Sequence, residues 1–262
     1  MQSPSIITSI QNPLVKEVIR LKEKSRERKK SGRFVIEGQR EVELAHKGGY
    51  ELETLMVCPE IHNSSEFEKT ATNIIHLSHK VYEKVAHRGS TEGILAIAKT
   101  KDHDLKTLRL RDNPIILVAE APEKPGNIGA LLRTADAANL DAVLIANPKS
   151  DVYNPNIIRS SVGCVFTTQI GVGNTQQIIE FLKTNSIKIF CAALSASANY
   201  VHANFSGPSA IVVGTEATGL SREWLIKADQ NSVIPMQGEI DSMNVSVSAA
   251  ILIFEAKRQR GF

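Results

Sequence analysis

The stretch NSVIPMQGEIDSMNVSVSAAILIFEAKRQR, which runs from Asn231 to Arg260, contains the local pattern on which the fold depends. A short apolar strand runs into Pro235, and the residues after it show no helical periodicity as far as Asn244. From Val245 onward, apolar residues recur at the spacing of one helix face. A polar loop between a buried strand and a long helix is where open α/β sheets bind ligands. The same polar residues are typical of turns and helix N-caps, so this stretch alone leaves both interpretations open.

Two earlier segments show the same change from a buried strand to a loop and a helix. The apolar run Ile115–Ala119 precedes EKPGNIGALLRTADAA, residues 123–138, where a Pro-Gly pair ends the strand and Asn127 can cap a helix. The segment IVVGTEATGL, residues 211–220, contains a further apolar strand that ends at a glycine. Polar or small residues therefore follow three separate buried strands.

A regular alternation of strands and helices begins at Pro114. The strands are expected near 115–119, 142–146, 188–194, 210–213 and 232–235. The helices between them are expected near 127–139, 175–185 and 221–228. The segment GVGNTQ, residues 171–176, lacks the third glycine of a dinucleotide-binding loop and is interpreted as a turn. This alternation predicts an α/β fold whose mainly parallel sheet is covered by helices on both faces.

A smaller α/β alternation precedes this region. Residues 14–30 are expected to form one helix, followed by a strand at Phe34–Glu37 and a helix at Gly38–His46. Further strands are expected at Leu55–Val57, Ile74–Leu77 and Ile94–Ala98, with helices near 64–71 and 79–86. We therefore predict a domain at residues 1–98 that includes a basic N-terminal helix, a polar linker at 99–113, and the main domain at 114–262.

Positive charge is concentrated at the N-terminus. Residues 1–33 contain nine Lys or Arg residues against three Glu, a net charge of +6, whereas the whole chain has +3. A basic helix on a mildly acidic body is typical of a protein that binds a polyanion, although a solvated helix face explains the charge equally well. The cations that would contact such a partner are Lys16, Arg20, Lys24, Arg28, Lys29, Lys30 and Arg33.

The composition is that of a globular protein, with 42% hydrophobic and 23% charged residues. The aliphatic run Ala249–Phe254 is far too short to span a bilayer. The N-terminus lacks the pattern of a signal peptide, so a cytoplasmic protein is expected. The three cysteines, Cys58, Cys164 and Cys191, are isolated in apolar surroundings, which predicts reduced and buried thiols. The spacing of the histidines gives no reason to expect a metal.

Three segments resemble, in the same order, the motifs of the SpoU (TrmH-type) RNA ribose methyltransferases of the SPOUT superfamily. The chain has NIGALLRTA at 127–135, GTEATGL at 214–220 and IPMQGEIDSMNVSV at 234–247. The segment DVYNPNIIRSSVGCVF at 151–166 is also similar to the family. Met243 stands where the family usually has leucine, a swap of similar volume that is expected to be tolerated.

The resemblance implies S-adenosylmethionine as cofactor, RNA as substrate, a homodimer and a C-terminal trefoil knot, which is an exception to the rule against threading. The first domain resembles the RNA-binding domain that many members carry. The residues implied to hold the cofactor are Leu194, Gly214, Ile234, Met236 and Met243. The catalytic residues that it implies are Asn127, Arg133, Glu216, Ser242 and Asn244. Without the motifs, core packing would be the default interpretation of Leu194, Ile234 and Met236.

Methyl transfer to a ribose 2′-hydroxyl is an in-line displacement that needs a positioned oxygen and the removal of its proton. The family treats Arg133 as catalytic, but a guanidinium keeps its proton at neutral pH. We therefore expect Arg133 to hold the phosphate beside the target ribose and to stabilise developing charge. The alternative is an ordinary surface cation. The proton acceptor stays open between a substrate phosphate and a polarised water.

The separate N-terminal domain favours 23S ribosomal RNA as the substrate, with transfer RNA as the alternative. A protein of another class, a non-catalytic RNA-binding or ribosome-assembly protein, would have the same fold. The presence of Arg133, Glu216, Ser242 and Asn244 argues against that class. A Rossmann-type dehydrogenase is disfavoured, because the chain lacks both the GxGxxG loop and the acidic residue that would follow it.

Overall fold

A computed structural model describes residues 6–62, 71–87, 92–196, 198–215 and 218–262. The chain forms two compact units. The first consists of Met1–Lys101 and Asp151–Thr167, and the second of Asp102–Ser150 and Thr168–Phe262. Each unit is built around its own sheet. The predicted α/β class with a mainly parallel sheet is therefore confirmed.

The sheet of the first unit is mixed. Its strands are β1 Ile6–Ile7, β2 Arg33–Glu37, β3 Leu52–Val57, β4 Asn73–Leu77 and β5 Ile94–Lys99. Among the described residues their order is β1-β4-β3-β5-β2. β5 pairs antiparallel with β2 and β3, whereas β4 runs parallel to β3 and β1. The strands expected from the sequence are present, and β1 is an additional edge strand.

The helices of the N-terminal part differ from the prediction mainly at residues 14–30. They are α1 Pro13–Glu23, α2 Ser25–Ser31, α3 Gln39–Lys47 and α4 His79–Val85. The single helix predicted at 14–30 is wrong, because the backbone at Lys24 is extended, with φ −117° and ψ 109°. α1 buries Val15, Val18 and Leu21 in the core of this unit. Residues 63–70 are not described, so almost all of the helix predicted near 64–71 lies outside the described residues.

The sheet of the second unit has apolar strands at its centre and more polar ones towards one edge. Its strands are β6 Ile115–Glu120, β7 Ala142–Ala146, β8 Ile170–Gly173, β9 Lys188–Ala192, β10 Ala198–Asn199, β11 Ser209–Val213 and β12 Gln230–Val233. In the described part of the unit, all pairs are parallel and the order is β10-β12-β9-β11-β6-β7-β8. The central strands β6, β7 and β11 are buried along their whole length, as expected for a sheet covered on both faces.

Two local predictions for the second unit are wrong. The turn assigned to residues 171–176 is a strand in its first half, because residues 171–173 pair with β7 in β8. The helix α5, Pro125–Ala137, begins at its proline with Lys124 as N-cap residue, so Asn127 lies in the first turn and does not cap it. The other helices are α7 Thr175–Thr184, α8 Arg222–Lys227 and α9 Val245–Gln259.

The helix α9 begins where the sequence pattern predicted. The Asn244 side-chain oxygen accepts a hydrogen bond from the Ser246 backbone N–H at 2.9 Å, which caps the helix. Ala249, Leu252 and Ile253 then face the core and are at most 3% exposed. The helix therefore closes the sheet on the side of β6 and β11.

Residues 151–167 pack in the first unit, although the sequence assigned them to the main domain. The guanidinium of Arg28 donates to both carboxylate oxygens of Asp151, at 2.7 and 3.0 Å. The Tyr153 ring stacks on Phe34, with the ring centroids 4.2 Å apart. The segment also contains a short helix, α6 Pro155–Ser160. These contacts join residues distant in sequence, so no local pattern predicts them.

Among the described residues, no helix is both long and apolar enough to cross a membrane. The same residues contain no His, Cys, Asp and Glu cluster suited to a metal ion. The three cysteines are buried free thiols, as predicted. Burial, followed by the negative charge of Glu120, raises the pKa of Cys191 to about 12, so this thiol stays protonated at neutral pH.

Candidate active site

The second unit has a cavity of about 540 Å³ at the carboxyl ends of β9, β11 and β12. It is lined by residues 192–195, by residues within 213–220, and by residues within 232–248. Because the three strands are parallel, the loops that follow them meet at one edge of the sheet. This edge is where open α/β sheets bind their ligands.

The five residues predicted to hold the cofactor all line this cavity. They are Leu194, Gly214, Ile234, Met236 and Met243. The side chain of Leu194 is 62% exposed, and the other large ones are partly exposed. Core packing therefore does not account for Leu194. The structure brings the predicted residues together, and their contact with the cofactor stays a prediction.

Gly214 shapes the cavity by having no side chain. A β-carbon at this position would overlap backbone atoms of Gly219 and Leu220. Those atoms are held close because Thr215 and Gly219 exchange two backbone hydrogen bonds, of 3.0 and 3.1 Å. Backbone groups that are open to an approaching ligand are suited to a nucleoside. The residues present therefore fit the adenosine part of S-adenosylmethionine.

Replacement of Gly214 with alanine is expected to weaken cofactor binding roughly tenfold or more. The added carbon must displace the backbone at residues 219–220, and overpacking of this kind costs about 1–3 kcal/mol. Gly207→Ala is the matched control, because a β-carbon at Gly207 meets nothing within 4 Å. Calorimetric titration with S-adenosylmethionine measures the effect. Unchanged affinity in a folded Gly214→Ala protein would disprove the role of this loop.

A buried carboxylate holds the end of the loop that follows Gly214. Glu120, at the end of β6, is 6% exposed. Its Oε2 accepts a hydrogen bond from the Ser221 backbone N–H at 2.7 Å, and its Oε1 accepts one from the Thr175 hydroxyl at 3.2 Å. The Asn147 amide donates to that hydroxyl at 2.9 Å. This network ties the end of the cavity-lining segment to β6 and α7. Glu120 was not predicted from the sequence, although its position at the end of an apolar strand was an available signal.

A second, smaller cavity of about 110 Å³ shares Gly214, Thr215 and Val245 with the first. The predicted catalytic residue Asn127 and the cation Lys124 also line it. The Asn244 side-chain N–H donates to the Asn127 side-chain oxygen at 3.2 Å. Two of the predicted polar residues, from the first and third motifs, are therefore in direct contact beside the larger cavity.

The other predicted catalytic residues differ in position. Ser242 lines the larger cavity, and its hydroxyl donates to Asp241 Oδ1 at 3.0 Å. Arg133 is exposed on α5 and, as far as the described residues define the two cavities, lines neither of them. Glu216 lies outside the described residues. The structure thus places Asn127 and Ser242 in the cavity linings, holds Asn244 against Asn127, and leaves Arg133 on an exposed helix face.

The cations predicted to bind RNA fall into two groups. Five of them have exposed side chains: Lys16, Arg20, Lys24, Lys29 and Lys30. The prediction that Arg28 contacts RNA is wrong, because Arg28 is 3% exposed and ion-paired with Asp151. Arg33 is partly exposed and pairs with Glu17 at 2.6 Å. Counting charges along a helix does not separate a cation that stabilises the fold from one that faces solvent.

A parallel sheet with a cavity of mixed apolar and polar lining at its carboxyl edge is typical of α/β enzymes that bind a nucleoside-containing cofactor. Residues 114–254 match the SpoU rRNA Methylase family. Residues 12–96 match the MRM3-like substrate binding domain. The chain belongs to the SpoU rRNA Methylase family.

Relatives and solved structures agree with this family. A 23S rRNA (guanosine(2553)-2′-O)-methyltransferase of Bacillus subtilis is 32% identical over 96% of this chain and 98% of its own. The crystal structure of an RNA 2′-O ribose methyltransferase, 39% identical, superposes with a TM-score of 0.85 over 98% of this chain and 100% of its own. An AdoMet-bound rRNA methyltransferase from Sinorhizobium meliloti is 25% identical, with a TM-score of 0.89 over 97% of each chain.

The family resemblance drawn from the three motifs is therefore confirmed. The chain is an RNA 2′-O-methyltransferase that uses S-adenosylmethionine, as the motifs predicted. The non-catalytic and dehydrogenase alternatives are set aside. A match to a substrate-binding domain also supports the predicted role of the N-terminal region in RNA binding.

Proposed function

We propose that this enzyme methylates the 2′-hydroxyl of one ribose in 23S ribosomal RNA. The observation that carries the proposal is the pair of cavities that share Gly214, Thr215 and Val245. The larger is suited to the cofactor, and the smaller is bordered by hydrogen-bonding side chains suited to a ribose. The name of the Bacillus subtilis relative, which the chain matches almost end to end, supports 23S RNA as the substrate.

We propose that the cofactor is held by the five cavity-lining residues Leu194, Gly214, Ile234, Met236 and Met243. When bound, S-adenosylmethionine supplies an electrophilic methyl group. The side chains of Leu194, Met236 and Met243 provide apolar contact area, and Met243 adapts easily to an irregular surface. The segment around Gly214 offers backbone groups to the adenosine. Exclusion of water by these residues strengthens electrostatic interactions at the reacting atoms.

The polar residues orient the RNA in this proposal. Asn127, which lines the smaller cavity, and Asn244, which donates a hydrogen bond to it, hold the ribose. Arg133 grips the adjacent phosphate with its two-pronged guanidinium and stabilises the charge that develops on the 2′-oxygen. Ser242 and Glu216 provide further hydrogen-bonding groups around Arg133 and the ribose. The proton leaves to a substrate phosphate or a water, because the guanidinium of Arg133 does not accept it.

A homodimer with a C-terminal knot is part of the same proposal. The exposed side of α9 carries Val247 and Phe254, which are 48% and 42% exposed, and Phe262 beyond the helix is 77% exposed. Val247 and Phe254 are seven residues apart, so they lie on one helix face. A second copy that covers this face and the neighbouring α5 would place the exposed Arg133 near the interface between the two copies. Because the enzyme is proposed to act on ribosomal RNA, we expect it in the cytoplasm.

The exposed cations of the N-terminal helices are proposed to capture the RNA. Lys24→Gln, Lys29→Gln and Lys30→Gln together are expected to weaken RNA binding and to lower the slope of log K against log salt by about 2. Each phosphate contact to a single strand contributes about 0.7 to that slope, because counterions are released. Substitution is the right test, since α1 has core residues and a deletion would unfold the first unit.

The control removes three exposed cations of the second unit, with Lys183→Gln, Lys188→Gln and Lys227→Gln. This variant is expected to keep the salt slope, and both variants are expected to keep their cofactor affinity. Filter binding or fluorescence anisotropy at several salt concentrations measures the slope. An unchanged slope in the Lys24, Lys29 and Lys30 variant would show that those cations face solvent and do not contact RNA.

The substrate itself is identified by mapping 2′-O-methyl groups in RNA from cells with and without the gene. The expected result is the loss of one methyl group from 23S RNA and its restoration by the wild-type gene but not by an Arg133→Ala variant. Loss of a methyl group from transfer RNA alone would contradict the proposed substrate while leaving the enzyme class intact.

A further inference from the structure

Asp241 occupies a distinctive place in the cofactor cavity. Among the described residues that line the cavity it alone has a formal charge, and the others are apolar or neutral polar side chains. It belongs to the irregular segment between β12 and α9, and its Oδ1 accepts a hydrogen bond from the neighbouring Ser242 hydroxyl at 3.0 Å. An acidic side chain in an otherwise neutral cavity favours a positively charged ligand.

The methyl-transfer reaction changes the charge of the ligand in this cavity. The S–CH₃ bond breaks with its electron pair left on sulfur, a bond forms between the methyl carbon and the ribose 2′-oxygen, and the hydroxyl proton leaves to an acceptor. The sulfonium thereby becomes a neutral thioether. At neutral pH the cofactor has one net positive charge, whereas the product S-adenosylhomocysteine has none. The two ligands share every other group except the methyl.

We propose that Asp241 is a specificity residue that favours the charged cofactor over its neutral product. Its carboxylate attracts S-adenosylmethionine and loses that attraction once the sulfur is neutral, so the product is released more readily. The side chain is exposed before a ligand enters, so water screens part of the attraction, and the effect is expected to be moderate. The other described lining residues have no formal charge, so none of them offers an attraction of this kind to the sulfonium.

Asp241→Asn tests the proposal because it removes the charge with little change in shape. The dissociation constant of S-adenosylmethionine is expected to rise about tenfold, which corresponds to about 1.4 kcal/mol. That of S-adenosylhomocysteine is expected to change less than twofold. Sinefungin, whose protonated amine stands in place of the sulfonium, is expected to lose affinity as S-adenosylmethionine does. Isothermal titration calorimetry on the full chain measures all three, and a thermal unfolding curve confirms the fold.

Two variants serve as controls. Asp241→Glu keeps the charge and is expected to keep the preference for the charged ligands. Glu239→Gln removes an exposed carboxylate two residues away that is not among the described lining residues, and all three affinities are expected to stay within twofold. An equal loss of affinity for all three ligands in Asp241→Asn would overturn the proposal, because it would indicate a contact with a shared group. Unchanged affinities would overturn it as well.

Discussion

Asp151→Ala is expected to lower the free energy of unfolding of the first unit by about 3–5 kcal/mol, because it leaves a buried charge without its partner. Arg28 is 3% exposed and donates to both carboxylate oxygens of Asp151. Within the described residues, its other hydrogen bonds go to the carbonyl oxygens of Leu21 and Lys22 at the end of α1. These two neutral acceptors do not compensate a positive charge removed from water.

The two units can be monitored separately. The single tryptophan, Trp224, is fully buried in the second unit, so its fluorescence follows that unit. Amide hydrogen exchange in β2 and β5 follows the first. Asp151→Ala is expected to shift exchange in β2 and β5 with little change in the tryptophan transition. This difference would show that the loss of stability is confined to the first unit.

Two further variants establish the cause. Glu17→Ala breaks the ion pair with Arg33, whose side chains are 25% and 36% exposed, and is expected to cost at most about 1 kcal/mol. The double variant Arg28→Met with Asp151→Leu removes both buried charges and is expected to recover most of the lost stability. If Asp151→Ala costs no more than Glu17→Ala, the Arg28 pair does not stabilise the unit.

The outline of the fold is predictable from the sequence because buried parallel strands leave a strong local signal. The runs at 115–119, 142–146 and 210–213 contain hardly any polar residue, and all three are central strands. The break at Lys24 has no such signal, since the surrounding residues are good helix formers and include neither proline nor glycine. It arises where Arg28 turns back to cap the last carbonyls of α1. The break therefore coincides with the contacts that Arg28 makes to α1 and Asp151, and not with a local sequence signal.

The site was predictable to the extent that the motifs resemble a family. Leu194, Ile234 and Met236 have no chemical signature of their own, and only the motif order identified them as cavity residues. Glu120 and Asp241 escaped notice for a different reason. Each is one acid among many in the sequence, and its importance depends on burial or on facing a neutral cavity. The apolar run before Glu120 was a local signal of burial, whereas Asp241 has no such signal in the sequence.

Arg133→Lys is expected to reduce the rate of methyl transfer by about 10²–10³-fold, or about 3–4 kcal/mol. Lysine keeps the positive charge but loses the planar fork that binds two phosphate oxygens at once. Arg133→Ala is expected to reduce the rate at least as much. Both variants are expected to fold and to bind S-adenosylmethionine normally, because Arg133 is exposed and is not among the described residues that line the cofactor cavity.

The measurement is single-turnover methyl transfer to the cognate RNA at saturating cofactor, which separates the chemical step from product release. Arg109→Lys, at another exposed arginine of the second unit, is the matched control and is expected to keep the wild-type rate. A rate for Arg133→Lys within about twofold of wild type would exclude the two-pronged phosphate contact. An equally active Arg133→Ala would show that Arg133 is a surface cation, and the charge on the 2′-oxygen would then need another source of stabilisation.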